Sequence, residues 1–255
     1  MALRINDNQS ARNTQRQLAG TQNKQAKTME HLATGKRVNS GMDSAVALAI
    51  SSNLGGDIRA ISQSVRNAND GISMAKLGDS ALDEMSTMFE RMQELSSQKG
   101  NGALSAEDQS AIDGEIGALQ TEINSIQANT RFNDKSLFTG LDQTFTVGAT
   151  ETYNLSVDPV NVDVGNNVSD IETAMENISR ARATFGQATS DLGSRAADSA
   201  VRAENLTAAR SRIIDADVAA EMAQLTKTTI LQKAGVAIQT QANMSSTSVM
   251  ALIKD

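Results

Sequence analysis

The 255-residue sequence has no cysteine, no tryptophan, one proline, one histidine and few aromatics, five Phe and one Tyr. Each scarcity excludes something. Without Cys there is no disulfide framework, thiolate metal site or thiol nucleophile. The lone His31 cannot build a His-rich metal site, and no His-Glu-x-x-His occurs. Aromatic side chains usually supply much of a core's buried area, so Ala, Leu, Ile, Val and Met must do the packing here. That suits narrow helix–helix seams. With Pro159 alone, helices can run long, because interior Pro breaks them. The longest apolar run, Ala45 to Ile50, is six residues, against about 20 for a membrane span. The N-terminus lacks the apolar core of a cleaved secretory signal. Gly55-Gly56 and Gly100-Asn101-Gly102 lack the Lys-Ser/Thr of a phosphate loop. These features point away from an enzyme, a cofactor and a metal.

Net charge is −7 and unevenly placed. Residues 1–37 carry +5, residues 38–214 carry −11 and residues 215–255 carry −1. The basic arm is diluted by Gln and Asn and has no aromatic for base stacking. The acidic remainder would repel phosphate, so nucleic acid is not an expected partner.

Heptad spacing dominates. Ile50, Leu54, Ile58, Ile61, Val65, Ala68, Ile72 and Ala75 form an a/d-type stripe. After an interruption at Gly78 it resumes as Leu82, Met85, Phe89 and Met92. A second block reads Ile112, Ile116, Leu119, Ile123, Ile126. Lys99-Gly100-Asn101-Gly102 between them has turn composition, and Ser105 with Asp108 forms an N-cap pattern. The spacing predicts two antiparallel helices over about 43–99 and 105–129, the first roughly 85 Å long if continuous. A third stripe runs Ile171, Ala174, Ile178, Ala181, Phe185, Ala188, Leu192, Ala196, Ser199, Ala203, Leu206, Arg210, Ile213, with Ser169 and Glu172 as its expected capping box. Packed on the first hairpin, it completes an elongated three-helix rod.

Over 139–168 the period changes to two. Phe145 and Val147, then Tyr153, Leu155 and Val157, read as a β-hairpin turning at Gly148 to Thr152. A short third strand is expected at Val162 and Val164. Thirty residues are too few for an independent domain.

The ends differ from the middle. Between Asn6 and Thr28 the one large apolar residue is Leu18. The expected seam there is Ala11, Gln15, Gln22 and Ala26, leading into Met29 and Leu32. At the other end Ala219, Ala223, Thr226, Ile230, Ala234, Ala237 and Gln241 keep 4-and-3 spacing. Such seams offset little of the ordering entropy of isolated helices. We expect the two ends to pair and to become ordered as neighbouring subunits pack around them.

Several stretches resemble bacterial flagellin. Leu32-Ala33-Thr34-Gly35-Lys36-Arg37-Val38-Asn39-Ser40 is similar to the family stretch ending in Arg-Ile-Asn-Ser. Arg66 to Ser73 is similar to Asn-Ala-x-Asp-Gly-Ile-Ser, and Thr130-Arg131-Phe132-Asn133 to the end of its second helix. Glu204 to Asp217 resembles the C-terminal signature, with Gln241-Ala242-Asn243 following. The resemblance covers about 1–138 and 169–255. Two Asp usually follow Asn-Ser, whereas here Asp43 is followed by Ser44. Asp134 replaces the Gly expected after Phe132-Asn133. The end, Leu252 to Asp255, is more charged than usual, and variable outer domains are lacking.

The resemblance implies a mainly α fold, an elongated antiparallel helical rod or coiled coil with a small β-hairpin insert. Residues 1–42 and 214–255 would be paired terminal helices of the filament's inner core, 43–138 and 169–213 the helical rod of the outer core, and 139–168 the hairpin element. The implied function is a structural subunit that polymerises into the flagellar filament for swimming motility, secreted and extracellular. Hook–filament junction (hook-associated) proteins share the same helical ends and are the alternative. A signalling coiled coil is another, although it needs no period-two insert. Implied partners are further copies of the chain, the type III export apparatus and an export chaperone, the filament cap and hook-associated proteins.

One surface patch is expected to matter. Arg91 and Leu95 are four apart, on one helix face, away from the Leu82–Met85–Phe89–Met92 stripe. The turn near Asn101–Gly102 places Glu115 opposite Arg91. By resemblance, Arg91, Leu95 and Glu115 occupy positions of a subunit–subunit contact that Toll-like receptor 5 also reads.

Overall fold

The computed structural model describes residues 8–148, 150–165 and 167–254, with side chains described through Met244. The charged end at Leu252 to Asp255 therefore lies outside the described side chains. Among the described residues the chain is mainly α, with five helices and two small antiparallel hairpins. In order these are α1 (Gln9–Thr34), α2 (Gly41–Lys99), α3 (Ala106–Asn129), β1 (Arg131–Phe132), β2 (Lys135–Ser136), β3 (Leu141–Thr146), β4 (Thr152–Val157), α4 (Val168–Ile214) and α5 (Val218–Lys254). The chain divides into two compact units: a core unit, Gly56–Leu206, and a terminal unit, Met1–Gly55 with Thr207–Asp255. Both α2 and α4 contribute to each.

The core unit holds the apolar interior. Ile116, Ile123, Ile171, Ile178, Phe185 and Leu192 are all essentially inaccessible. The α4 stripe buries its predicted residues from Ile171 to Leu192 and again at Ser199, while Ala196, Ala203, Leu206, Arg210 and Ile213 are half-buried. The α2 seam buries Ile61, Ala68 and Ala75 as predicted, but Val65 and Ile72 are half-buried, and Ser64, Gly71 and Gly78 take the central positions beside them. Gly78 does not interrupt the stripe but makes room for Phe185. A Cβ there would meet three atoms of the Phe185 ring at 2.7–2.9 Å. Phe185 also meets Phe138 edge-on, 6.4 Å between ring centroids.

Ser105 closes a reciprocal capping box with Asp108 at the start of α3. Ser169, expected to open a capping box, lies inside α4, and the helix starts from Asn167 instead. The Asn167 carbonyl accepts from the Asp170 and Ile171 amides, and the Asn167 side-chain amide donates to Asp170. An Asn one residue before the helix takes the capping position that Ser169, inside the helix, cannot.

The hairpin β3–β4 pairs Phe145 with Tyr153. Its tip is clamped by buried hydroxyls: Ser64 donates to the Gly148 carbonyl at 3.1 Å and Ser199 to Val147 at 3.3 Å. The third strand does not form. Val160 and Val162 are buried in irregular backbone whose carbonyls accept from the side-chain amides of Gln127 and Gln120, at 2.6 and 2.7 Å. Side chains thus replace a ladder, as burial of backbone carbonyls requires. The small hairpin β1–β2 turns through Asn133 and Asp134, both at positive φ (49° and 64°). Asp134 thereby takes the left-handed position where the resembled family has Gly, a conformation Asn and Asp tolerate better than most residues.

Candidate functional site

The terminal unit is built as a clasped pair of helices. α1 ends at Gly35 in the left-handed conformation, φ 66°, which favours Gly because it lacks Cβ. The connector that follows runs antiparallel to the one between α4 and α5, with Lys36 opposite Asp215. The Arg37 and Val38 amides donate to the Ile214 carbonyl at 2.7 and 3.3 Å, and the Ala216 amide donates to the Gly35 carbonyl at 3.0 Å. The Arg37 guanidinium donates to the Ile213 carbonyl at 2.8 Å.

Asp43 organises the α1–α2 connector. Its Oδ2 accepts from the Asn39 amide, the Ser40 amide and the Ser40 hydroxyl at 3.1, 3.0 and 3.2 Å. Its Oδ1 lies 2.7 Å from Lys27 Nζ. Lys27, followed by the two backbone donors, holds this carboxyl well below the usual carboxylate range. Ser44, with extended backbone, accepts from the Ala47 amide at 3.2 Å and caps the helical part of α2. The change from a second Asp to Ser thus keeps a capping oxygen in place. His31, read as an isolated side chain near the helix end, is 8% exposed and its Nδ1 meets Glu221 Oε1 at 2.8 Å. Asp217 caps α5 by accepting from the Ala219 and Ala220 amides at 2.9 and 3.2 Å. The Asp215 carboxylate instead accepts from the Ser211 hydroxyl.

The seam between α1 and α5 is polar, and its positions differ from those expected. On α1 it runs through Ala11, Thr14, Leu18, Thr21, Gln25, Thr28 and His31, while Gln15, Gln22, Ala26 and Met29 face solvent. On α5 it runs through Glu221, Leu225, Thr228, Gln232, Gly235, Gln239 and Ala242, again in 4-and-3 steps. The expected stripe through Ala219, Ala223, Ile230, Ala234 and Ala237 is exposed. Leu18 is the chief apolar knob: a Cβ on Gly235 would stand 2.7 Å from Leu18 Cδ1. Asn8 Nδ2 donates to the Ala242 carbonyl at 3.0 Å and ties the far end. Two buried polar atoms in the seam, His31 Nε2 and Gln239 Oε1, have no hydrogen-bond partner.

The apolar side chains of this unit point outward. Ile230 is 61% exposed and Ile238 58%, with Leu231, Val236, Val218 and Met222 similar. Met42, Val46, Leu48 and Ile50 add to them. Of the fifteen exposed large apolar residues among those described, twelve lie in the terminal unit. Only two of the thirty buried apolar residues, Val38 and Ile214, do.

The predicted surface patch lies in the core unit, and its placement of Leu95 is corrected. Arg91 does pair with Glu115: Nη2 and Nε donate to Oε1 at 3.0 and 3.2 Å, and Nη1 donates to Glu94 at 3.1 Å. Leu95 is not a surface residue. It is 2% exposed, in one cluster with Met92, Ile112 and the partly buried Leu104. α2 is covered on more than one side just before the turn, so its buried face is broader than a two-helix seam. One turn on, Lys99 Nζ bridges both oxygens of Asp113 at 2.6 and 2.8 Å.

Among the described residues no group of three potential metal ligands occurs, and no helix is long and apolar enough to cross a membrane. Comparison with known proteins places this arrangement. Residues 5–143 match the bacterial flagellin N-terminal helical region, and residues 168–253 the bacterial flagellin C-terminal helical region. The chain belongs to the bacterial flagellin family. It is 34% identical to the flagellar filament 33 kDa core protein of Treponema phagedenis, over 98% of this chain and 99% of the relative. Flagellins of Halalkalibacterium halodurans and Bacillus subtilis are 33% and 32% identical, over 98% and 99% of this chain and 99% and 100% of theirs. As a flagellin the chain is a structural subunit of the bacterial flagellar filament and not an enzyme. The flagellin matches favour that function over a hook-associated protein or a signalling coiled coil. Subunits of this family polymerise with one another into the filament, the extracellular part of the flagellum.

Proposed function

We propose that the terminal unit is the surface through which this flagellin polymerises. The observation that carries it is an inverted pair of helices, polar Thr, Gln, His and Glu side chains facing inward and Ile230, Leu231, Val236 and Ile238 facing out. Exposed large apolar residues gather in this unit, and apolar surface concentrated in this way marks a protein–protein interaction site. Residues 1–42 and 214–255 then form the inner core of the filament and gain order as copies assemble. Residues 43–138 and 169–213 form the surrounding rod, and 139–168 a hairpin element within it. Exposed Arg91 and Glu115 form a further subunit contact, with Leu95 supporting them from beneath. Toll-like receptor 5 would read the same charged surface. The chain is secreted through the type III export apparatus with an export chaperone, and meets the filament cap and hook-associated proteins at the two ends of the polymer.

The test is the double variant Ile230→Asp with Ile238→Asp. Both residues are mostly exposed in the monomer, so circular dichroism should match the parent while polymer vanishes from the sedimented fraction. Polymerisation at parental yield would overturn the assignment.

A further inference from the structure

The methionines divide sharply between the two units. In the core unit Met74, Met85 and Met92 are at most 2% exposed, and Met88 and Met175 are half-buried. In the terminal unit Met29, Met42, Met222 and Met244 are 49%, 96%, 50% and 60% exposed. Three of these four adjoin the clasp. Met42 precedes Asp43, which holds Lys27, and Met222 follows Glu221, which meets His31. Met29 lies between Lys27 and His31 in α1. A thioether this open is accessible to peroxide, whereas a buried one is shielded, and sulfoxide formation turns a flexible apolar side chain into a polar one.

We propose that the exposed methionines of the terminal unit form a redox-sensitive modification site, and that hydroperoxide-class oxidants switch off assembly through it. This rests on the reading of that unit as the polymerising surface. In the reaction the thioether sulfur attacks the outer oxygen of the hydroperoxide. The O–O bond breaks as the sulfur–oxygen bond forms, sulfur gives up two electrons, and the peroxide leaves as water or alcohol. The added oxygen binds water that assembly must strip away. The core unit, with its methionines buried or half-buried, keeps its packing. Assembly and oxidation compete, because burial in a polymer hides the same sulfurs.

The experiment treats full-length monomer with dilute hydrogen peroxide, quenches it, maps oxygen uptake by peptide mass spectrometry and measures polymer by sedimentation. The expected result is uptake of one oxygen at Met29, Met42, Met222 and Met244 before Met74, Met85 and Met92, with loss of polymer and an unchanged thermal melt of the core unit. Methionine sulfoxide reductases acting on both epimers should restore polymer. A variant with Leu at the four exposed positions should polymerise with or without peroxide. Oxidation of the four sites with normal polymer yield would overturn the proposal, as would loss of polymer in the peroxide-treated Leu variant. Peroxide given to preformed polymer should leave the four sulfurs unmodified, and uptake equal to the monomer's would count against it. Failure of the untreated parent to polymerise would instead overturn the assembly reading, and this proposal with it.

Discussion

The two units of this flagellin use hydrophobicity in opposite ways. The core unit buries its Phe, Ile and Leu and shows few large apolar residues to solvent. The terminal unit buries Thr28, His31 and Thr228 and exposes Ile230, Ile238 and Val236. At about 25 cal/mol per Å² of apolar surface removed from water, burial is the main favourable term in folding. The core unit realises it within one chain. The terminal unit leaves it available for contacts between chains. On our proposal, folding and assembly fall to different parts of one sequence, with α2 and α4 contributing to both.

The comparison breaks most completely by truncation. A chain cut back to 43–213 keeps nearly all of the buried apolar residues, so it should remain helical and melt cooperatively. It should leave no polymer on sedimentation, and filaments from it would place assembly in the wrong unit. Next in size are single core truncations. Ile123→Ala and Leu95→Ala should each lower stability by roughly 2–5 kcal/mol, the range for large-to-small changes in packed interiors. Ile230→Ala should stay within about 0.5 kcal/mol, as surface substitutions do. Thermal denaturation of the three variants separates the units directly. Equal costs at Leu95 and Ile230 would erase the distinction.

The glycines sharpen it further. Gly78→Ala forces a Cβ against the Phe185 ring, which is closed in on all sides, and overpacking of this sort costs roughly 1–3 kcal/mol. Gly235→Ala meets only the tip of Leu18 in a half-exposed seam. Leu18 can turn away, and the helix gains up to about 1 kcal/mol of propensity. The first variant should melt lower than the parent and the second at or above it.

Much of the core unit was legible because its signal is local. Stripes at 3-and-4 spacing located α3 and α4, and alternation located β3–β4 through Phe145 and Tyr153. What hydrophobic spacing misses is where a partner supplies the bulk. The centre of the α2 seam falls on Gly71 and Gly78 because Leu192, Phe145 and Phe185 fill the space above them, and on Ser64 where its hydroxyl reaches the Gly148 carbonyl. Leu95 looked exposed when judged by one stripe, since a helix covered on several sides buries more than one row. Strand pairing at Val162 failed because Gln120 took its carbonyl and Gln127 that of Val160. In the terminal unit the heptad reading assigned the apolar row to the intrachain seam by default. Gly235 was the overlooked signal, a close-approach residue in the row that does face α1.

The smallest expected effect concerns the clasp at Asp43. Lys27 and the Asn39 and Ser40 amides stabilise the ionised carboxylate in the folded chain, whereas in the unfolded chain the group titrates near about pH 3.9. A carboxyl whose folded pKa is depressed stabilises the fold above its unfolded pKa and loses that contribution as pH falls. The connector between α1 and α2 should therefore hold at neutral pH and loosen below about pH 4. Asp108 is shifted the same way by Ser105, but there protonation disturbs only the first turn of α3. Backbone amide NMR shifts of Asn39 and Ser40 should move through the acid range in the parent. In Asp43→Asn, where the side-chain oxygen still accepts but carries no charge, they should be flat. Shifts that move equally in both proteins would mean that another carboxylate controls the connector.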